Sequence, residues 1–231
     1  MKKAFVVGMV VVSTLAANVS FAAGVAKAPR EVLMEYTKQS KEALFGKGGS
    51  AKTMSEASAN QVKQTLIKEL NLSSSKAASM KSALSGEAGK ARLENLVTII
   101  AAKRLSVESI SKTDAAEATS IEKAADASAG LIANSVLIGA VKDSAIPMKA
   151  EELSLVRESL GKLETLSGEV LVNFSRAERD SYTQIMTKLE TMAESGQVKS
   201  YEEAFITSIM EVKKVDRTKA LEIVKKLKEC V

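Results

Sequence analysis

Residues 151–168 read EELSLVRESLGKLETLSG, and this stretch decides the fold class. Leu153, Val156, Leu160, Leu163 and Leu166 recur every three or four positions, with charged and small polar residues between them. That spacing gathers apolar side chains on one stripe of a helix and leaves the charges on the other face. Ser167-Gly168 ends the pattern.

The same grammar extends in both directions. Towards the C-terminus, Ser175 with Glu178 reads as a capping box, opening a helix through Ile185, Met186, Leu189 and Met192 that stops at Gly196. Ser200 with Glu203 opens the next, carrying Ala204, Phe205, Ile209 and Val212, and Asp216 caps a last one with Leu221, Val224 and Leu227. Towards the N-terminus, Pro29 suits a first helical turn, and Val32, Leu33, Tyr36, Ser40, Ala43 and Leu44 keep helical spacing. Thr53 with Glu56 predicts a further cap before Ala59, Val62, Leu66, Ile67 and Leu70. A short helix to about Leu84 follows, then a strong one from Glu87 carrying Leu93, Leu96, Val97 and Ile100. Asp114 with Glu117 starts a helix predicted to extend to Lys142, its uncharged second half, Leu131 to Val141, buried on most sides. About 15 residues from Ala127 run without a charge, short of the ~20 that a membrane span requires.

Composition supports an all-α reading. Ala, Lys, Glu, Leu and Met are common, and there are 2 prolines, no tryptophan and 3% aromatics. Alternating strand patterns are nearly absent; Val170-Leu171-Val172 is the nearest, and reads as a helix start or a connector. The expectation is an irregular bundle of about seven to nine helices with no substantial β-sheet. With no aromatic between Phe45 and Phe174, the core there must be aliphatic and alanine-rich, which predicts closely packed helices with little room for a pocket. Ile146-Pro147 is the candidate boundary between an Ala/Ser-rich helical region, 23–146, and a C-terminal bundle, 147–231, the two being able to pack as one domain.

The first 22 residues read as an address. Lys2 and Lys3 precede an uncharged, mostly apolar run from Ala4 to about Val19, and Ser20-Phe21-Ala22 places small residues where a signal peptidase reads them. A membrane anchor would need a longer apolar core. A buried N-terminal helix would leave the lysine pair and the small-residue ending as coincidence. Cleavage after Ala22 and a bacterial periplasmic destination are expected, with the extracellular space as the alternative. Without Lys2 and Lys3 the net charge falls from +5 to about +3, and lysines alternate with acids. No basic block with interleaved aromatics is present, which argues against a nucleic-acid partner.

Much chemistry is excluded by the absence of histidine. There is no Ser-His-Asp triad and no Cys-His pair. One cysteine cannot make a zinc site, and carboxylate-histidine di-iron bundles fail for the same reason. No catalytic, cofactor or metal residue is therefore assigned. The single cysteine, Cys230, cannot form an internal bridge; it is a tail thiol or the site of an intermolecular disulfide to a partner or a second copy.

Residues 47–53, Lys-Gly-Gly-Ser-Ala-Lys-Thr, resemble over those seven positions the phosphate loop of the chromosome-partitioning ATPases, Lys-Gly-Gly-x-Gly-Lys-Thr. Ala51 replaces the glycine that lets the backbone wrap phosphates, and a helix rather than a buried strand precedes the loop, so it reads as a turn. Ser-x-x-Lys, the nucleophile spacing of penicillin-binding proteins, occurs at Ser73/Lys76, Ser109/Lys112, Ser120/Lys123 and Ser159/Lys162. With 27 serines and 26 lysines in 231 residues, about three such matches arise by chance, and the companion motifs are missing. Glu151/Glu152 and Glu202/Glu203 sit at predicted helix starts, where the helix dipole favours acids.

The sequence thus points to an exported helical protein that binds another protein, or itself, or has a structural role. A carboxylate-dependent hydrolase of cell-wall glycan is the alternative, and a peripheral membrane-surface protein using Lys225, Lys226 and Lys228 a further one.

Overall fold

The computed structural model describes residues 29–48, 50–141, 147–195 and 198–230, so the expected signal peptide, the Ile146 side of the candidate boundary and the Gly196 stop lie outside the described residues. Ten α-helices occur among the described residues, and no strand. They are α1 (Pro29–Phe45), α2 (Glu56–Glu69), α3 (Ser74–Ala83), α4 (Gly86–Glu108), α5 (Ala115–Ala133), α6 (Ala150–Thr165), α7 (Ser167–Asn173), α8 (Arg176–Ser195), α9 (Tyr201–Lys213) and α10 (Arg217–Cys230). The count exceeds the expected seven to nine because of α7. The chain turns at Leu166, and Val170 and Leu171 are buried in a short helix of their own, not a connector.

The capping residues explain most boundaries. Asp114 accepts from the Glu117 amide at 2.9 Å, Ser200 from Glu203 at 3.1 Å, and Asp216 from Lys219 at 2.8 Å. Ser175 and Glu178 make the reciprocal box: the Ser175 amide donates to the Glu178 carboxylate at 2.8 Å and the Ser175 hydroxyl accepts from the Glu178 amide at 3.4 Å. The Ser175 hydroxyl and amide hold the Glu178 carboxyl below the usual carboxylate range.

Two boundaries differ from the expectation. Ser55, not Thr53, caps α2, because Thr53 is taken up in a 3₁₀ turn where its hydroxyl donates to the Ser50 carbonyl at 2.8 Å. The helix opened by Asp114 ends at Ala133 and tightens into a 3₁₀ turn over Asn134–Leu137, leaving Val136 and Leu137 exposed. Gly139 then adopts φ +74°, and its amide donates to the Glu202 carboxylate at 2.8 Å. An uncharged run does not make a helix when its backbone is captured elsewhere.

The core is continuous across both halves of the sequence. α4 is its axis: Leu93, Leu96, Val97, Ile99, Ile100, Ala101 and Ala102 point to every side of the helix and all are buried. α1, α5 and α7 pack around it, and α8 lies along α5 through Tyr182, Ile185, Met186 and Leu189. α9 packs on α8 through Ala204, Phe205 and Ile209, and α10 closes on α6 and α9 with Ala220 and Val224. Each fully buried Leu or Ile contributes roughly 1.5–3 kcal/mol of transfer free energy. The core between Phe45 and Phe174 is aliphatic and alanine-rich, as composition required, and close approach follows. A Cβ added at Gly168 would lie 2.8 Å from the Thr98 side chain, so α7 presses directly on α4.

Candidate functional site

Arginine and glutamate tie the helices together. Glu164, only 3% exposed, receives a bidentate contact from Arg92, which also donates to the Ala83 carbonyl at 2.7 Å. Buried Arg179 pairs with Glu117 and donates to the Phe174 carbonyl at 2.5 Å. Arg157 meets the fully buried Glu202 at 2.7 Å, Arg217 meets Glu152 at 3.0 Å, and Arg104 meets Glu69 at 2.9 Å. Each of these pairs joins residues far apart in sequence, and the planar guanidinium fork suits such ties. The Arg217 hydrogen bond holds the Glu152 carboxyl below its usual range.

These contacts settle several sequence candidates. Glu152 and Glu202 are structural partners, while Glu203 accepts from the Lys199 amide at 3.1 Å. Three of the four Ser-x-x-Lys serines have structural duties too, Ser109 being the exception. Ser73 caps α3, Ser120 donates to Asp180 at 2.6 Å, and buried Ser159 donates to the Val224 carbonyl at 3.2 Å. Within the 47–53 motif, residues 50–53 dock on α4: Ala51 is fully buried and its amide donates to Glu94 at 2.7 Å. Lys225 and Lys226 are exposed on α10. The side chains of Lys228 and Cys230 lie outside the described residues. Among the described residues, no cluster of three or more metal-ligating side chains occurs, and no helix is long and apolar enough to cross a membrane.

Two hollows carry the remaining chemistry. The smaller, about 270 Å³, lies beside α2 and α4 and is lined by Glu69, Lys103, Arg104, Val107 and Glu108. Burial raises the Glu69 carboxyl, and the Arg104 guanidinium opposes that rise. Burial, with the Glu108 charge adding to it, also raises Tyr36 on the facing α1.

The larger is an open cleft of about 370 Å³ between α1, the turn after it, α4 and α7. Asn95 and Thr98 of α4, with Thr37 of α1, are its buried polar residues. Asn95 spends its amide hydrogens on the carbonyls of Glu164 and Thr165, which leaves its own oxygen as an acceptor. The buried Thr37 hydroxyl has no hydrogen-bond partner. Met34, 49% exposed, and half-buried Val172 supply apolar surface. Gly46 and Gly48, at φ +83° and +70°, form the turn at one end; only glycine takes such angles without strain. Lys38, Lys41, Glu42 and Glu169 bring charges of both signs, and among the described residues none of the four forms an ion pair or a side-chain hydrogen bond.

A cleft of this size corrects the expectation of little room for a pocket. Reasoning from scarce aromatics missed it because its walls are threonine, asparagine, lysine, glutamate and glycine. The available signal was the glycine-rich turn next to a Lys38/Lys41/Glu42 cluster.

The sequence matches no family model, and neither the curated proteins nor the solved structures contain a significant match to it.

Proposed function

We propose that this chain is an exported, non-catalytic binding protein of the bacterial periplasm or cell envelope, and that it recognises a protein partner at the α1–α4–α7 cleft. One observation carries this reading. The cleft's four charged side chains are unpaired, whereas the buried charges of the body are consumed in Arg–Glu ties. Unpaired charges beside apolar Met34 and Val172 are what a partner segment can complement. The export part of the reading rests on the lysine start, apolar run and small-residue ending of residues 1–22.

The test is a photo-crosslinking residue at Met34, with Val136 as the distant control, in cells producing the full chain. The expected result is a discrete protein adduct from Met34 only, lost on reversing Lys38 and Lys41 to glutamate, with the body of the product starting at Ala23. A chain that remains uncrosslinked from Met34, or an unprocessed product inside the cell, contradicts the reading.

A hydrolase reading has one observation in its favour: Glu69, raised by burial, shares a hollow with Glu108. It predicts that Glu69→Gln abolishes cleavage of cell-wall glycan while leaving the fold intact. Absence of cleavage by the parent protein removes it.

A further inference from the structure

We infer that the α1–α4–α7 cleft takes a short peptide with both ends free, a net-neutral zwitterion with apolar side chains. This rests on the reading of the cleft as a non-catalytic binding site and names the chemistry it accepts.

The charge pattern makes the first selection. Lys38 and Lys41 lie one turn apart on α1, Glu42 follows directly, and Glu169 stands on α7. A phosphate or other polyanion would meet two carboxylates, and a cation would meet two ammonium groups. A ligand with one separated charge of each sign satisfies both sets. Its carboxylate is received by Lys38 and Lys41, and its ammonium by Glu42 and Glu169. Such charge-assisted contacts are about twice as strong as neutral hydrogen bonds.

The lining makes the second. Peptide groups need donors and acceptors in alternation; the Asn95 oxygen is an acceptor at the cleft, and the unpartnered Thr37 hydroxyl lies buried beneath it, where a turn of its side chain would bring a donor to the ligand. Thr98 donates to the Glu94 carbonyl at 3.3 Å, so toward a ligand its hydroxyl can act only as an acceptor. Met34 and Val172 give apolar side chains a surface, while the absence of an aromatic from the lining removes the stacking platform a sugar ring or a base would use.

Size makes the third. At about 370 Å³ the cleft falls near the lower end of small-molecule sites, roughly 300–1,000 Å³, which suits a short peptide and not a folded domain. A protein partner would therefore fill it only as a clipped fragment whose two ends are both free.

The test is calorimetric titration of the full mature chain with leucyl-leucine, N-acetyl-leucyl-leucine and leucyl-leucinamide. Lys38→Ala/Lys41→Ala and Glu42→Ala/Glu169→Ala are run beside the parent, with circular dichroism confirming the helical fold of each. The expected result is saturable binding of the free dipeptide, weakened about tenfold or more by either block and by either pair of substitutions. Acetylation should lose its effect in the Glu42/Glu169 variant, and amidation in the Lys38/Lys41 variant. Binding that ignores one of the two blocks overturns the zwitterion assignment. No binding of any of the three peptides overturns the peptide assignment altogether. The Met34 crosslink reports separately on the protein-partner reading, so a protein adduct together with failed peptide binding condemns only the ligand class.

Discussion

The body of the bundle and its cleft use charge in opposite ways. In the body, arginines reach across helices to glutamates: Arg92 to Glu164, Arg157 to Glu202, Arg179 to Glu117. Around the cleft the cations are lysines, and neither Lys38 nor Lys41 has a partner. The contrast follows from side-chain chemistry. Guanidinium is weakly hydrated and binds carboxylate bidentately, so it tolerates burial; ammonium is strongly hydrated and stays nearer the surface, where Lys76, Lys103 and Lys188 pair with acids but Lys38 and Lys41 do not. Packing follows the same division. Between residues 93 and 102 most of α4 is buried among apolar neighbours, and Asn95 and Thr98 form the one polar edge, which floors the cleft.

Breaking a tie in the body should have the largest effect. Arg157→Met leaves Glu202, with no exposed side-chain surface, without its cation. A loss of about 3–5 kcal/mol in urea unfolding is expected, because an uncompensated buried charge remains. A smaller effect is expected at the seam between the two regions. Gly168→Ala forces a methyl to within 2.8 Å of Thr98, and should cost about 1–3 kcal/mol while reshaping the cleft floor. Unfolding and peptide titration on this one variant should both change.

Acid sharpens the comparison further, because two of the ties respond with opposite sign. Arg217 lowers Glu152, so that stabilisation is full above the unfolded carboxylate's pKa and is lost as pH falls through the folded value. Burial raises Glu69, so its ionised form carries a cost that is full above the raised folded pKa and fades as pH falls below the unfolded one. Glu152→Gln should therefore unfold earlier than the parent at neutral pH, and the difference should shrink as acid carries the pH down through the lowered folded value. Glu69→Gln should gain on the parent at neutral pH and show no gain in acid. Urea midpoints followed from neutral pH into acid check both.

Much of the fold was legible in local sequence, and the reason is visible in particular residues. Asp114, Ser175, Ser200 and Asp216 cap helices through contacts three residues away, and the Leu153–Leu163 stripe is buried as its spacing requires. Local signals fail where a distant partner decides. The run after Ala133 leaves the helix because Glu202, 63 residues on, takes the Gly139 amide. Ala51 is buried because Glu94 on another helix holds its amide. The Arg–Glu ties were illegible for the same reason: glutamates at helix starts are explained locally by the dipole, and nothing nearby marks Glu202 as the partner of Arg157. The cleft is assembled from α1, α4 and α7, three segments whose convergence no local pattern encodes.

A division between body and cleft requires that the cleft charges have no structural duty. The direct measurement is the urea unfolding free energy of the Lys38→Ala/Lys41→Ala/Glu42→Ala/Glu169→Ala variant beside Arg157→Met. Side chains without partners predict a change below about 1 kcal/mol for the fourfold variant, against the several kcal/mol expected at Arg157. A fourfold variant as destabilised as Arg157→Met would show that these charges hold the fold together, and would contradict the division between body and cleft.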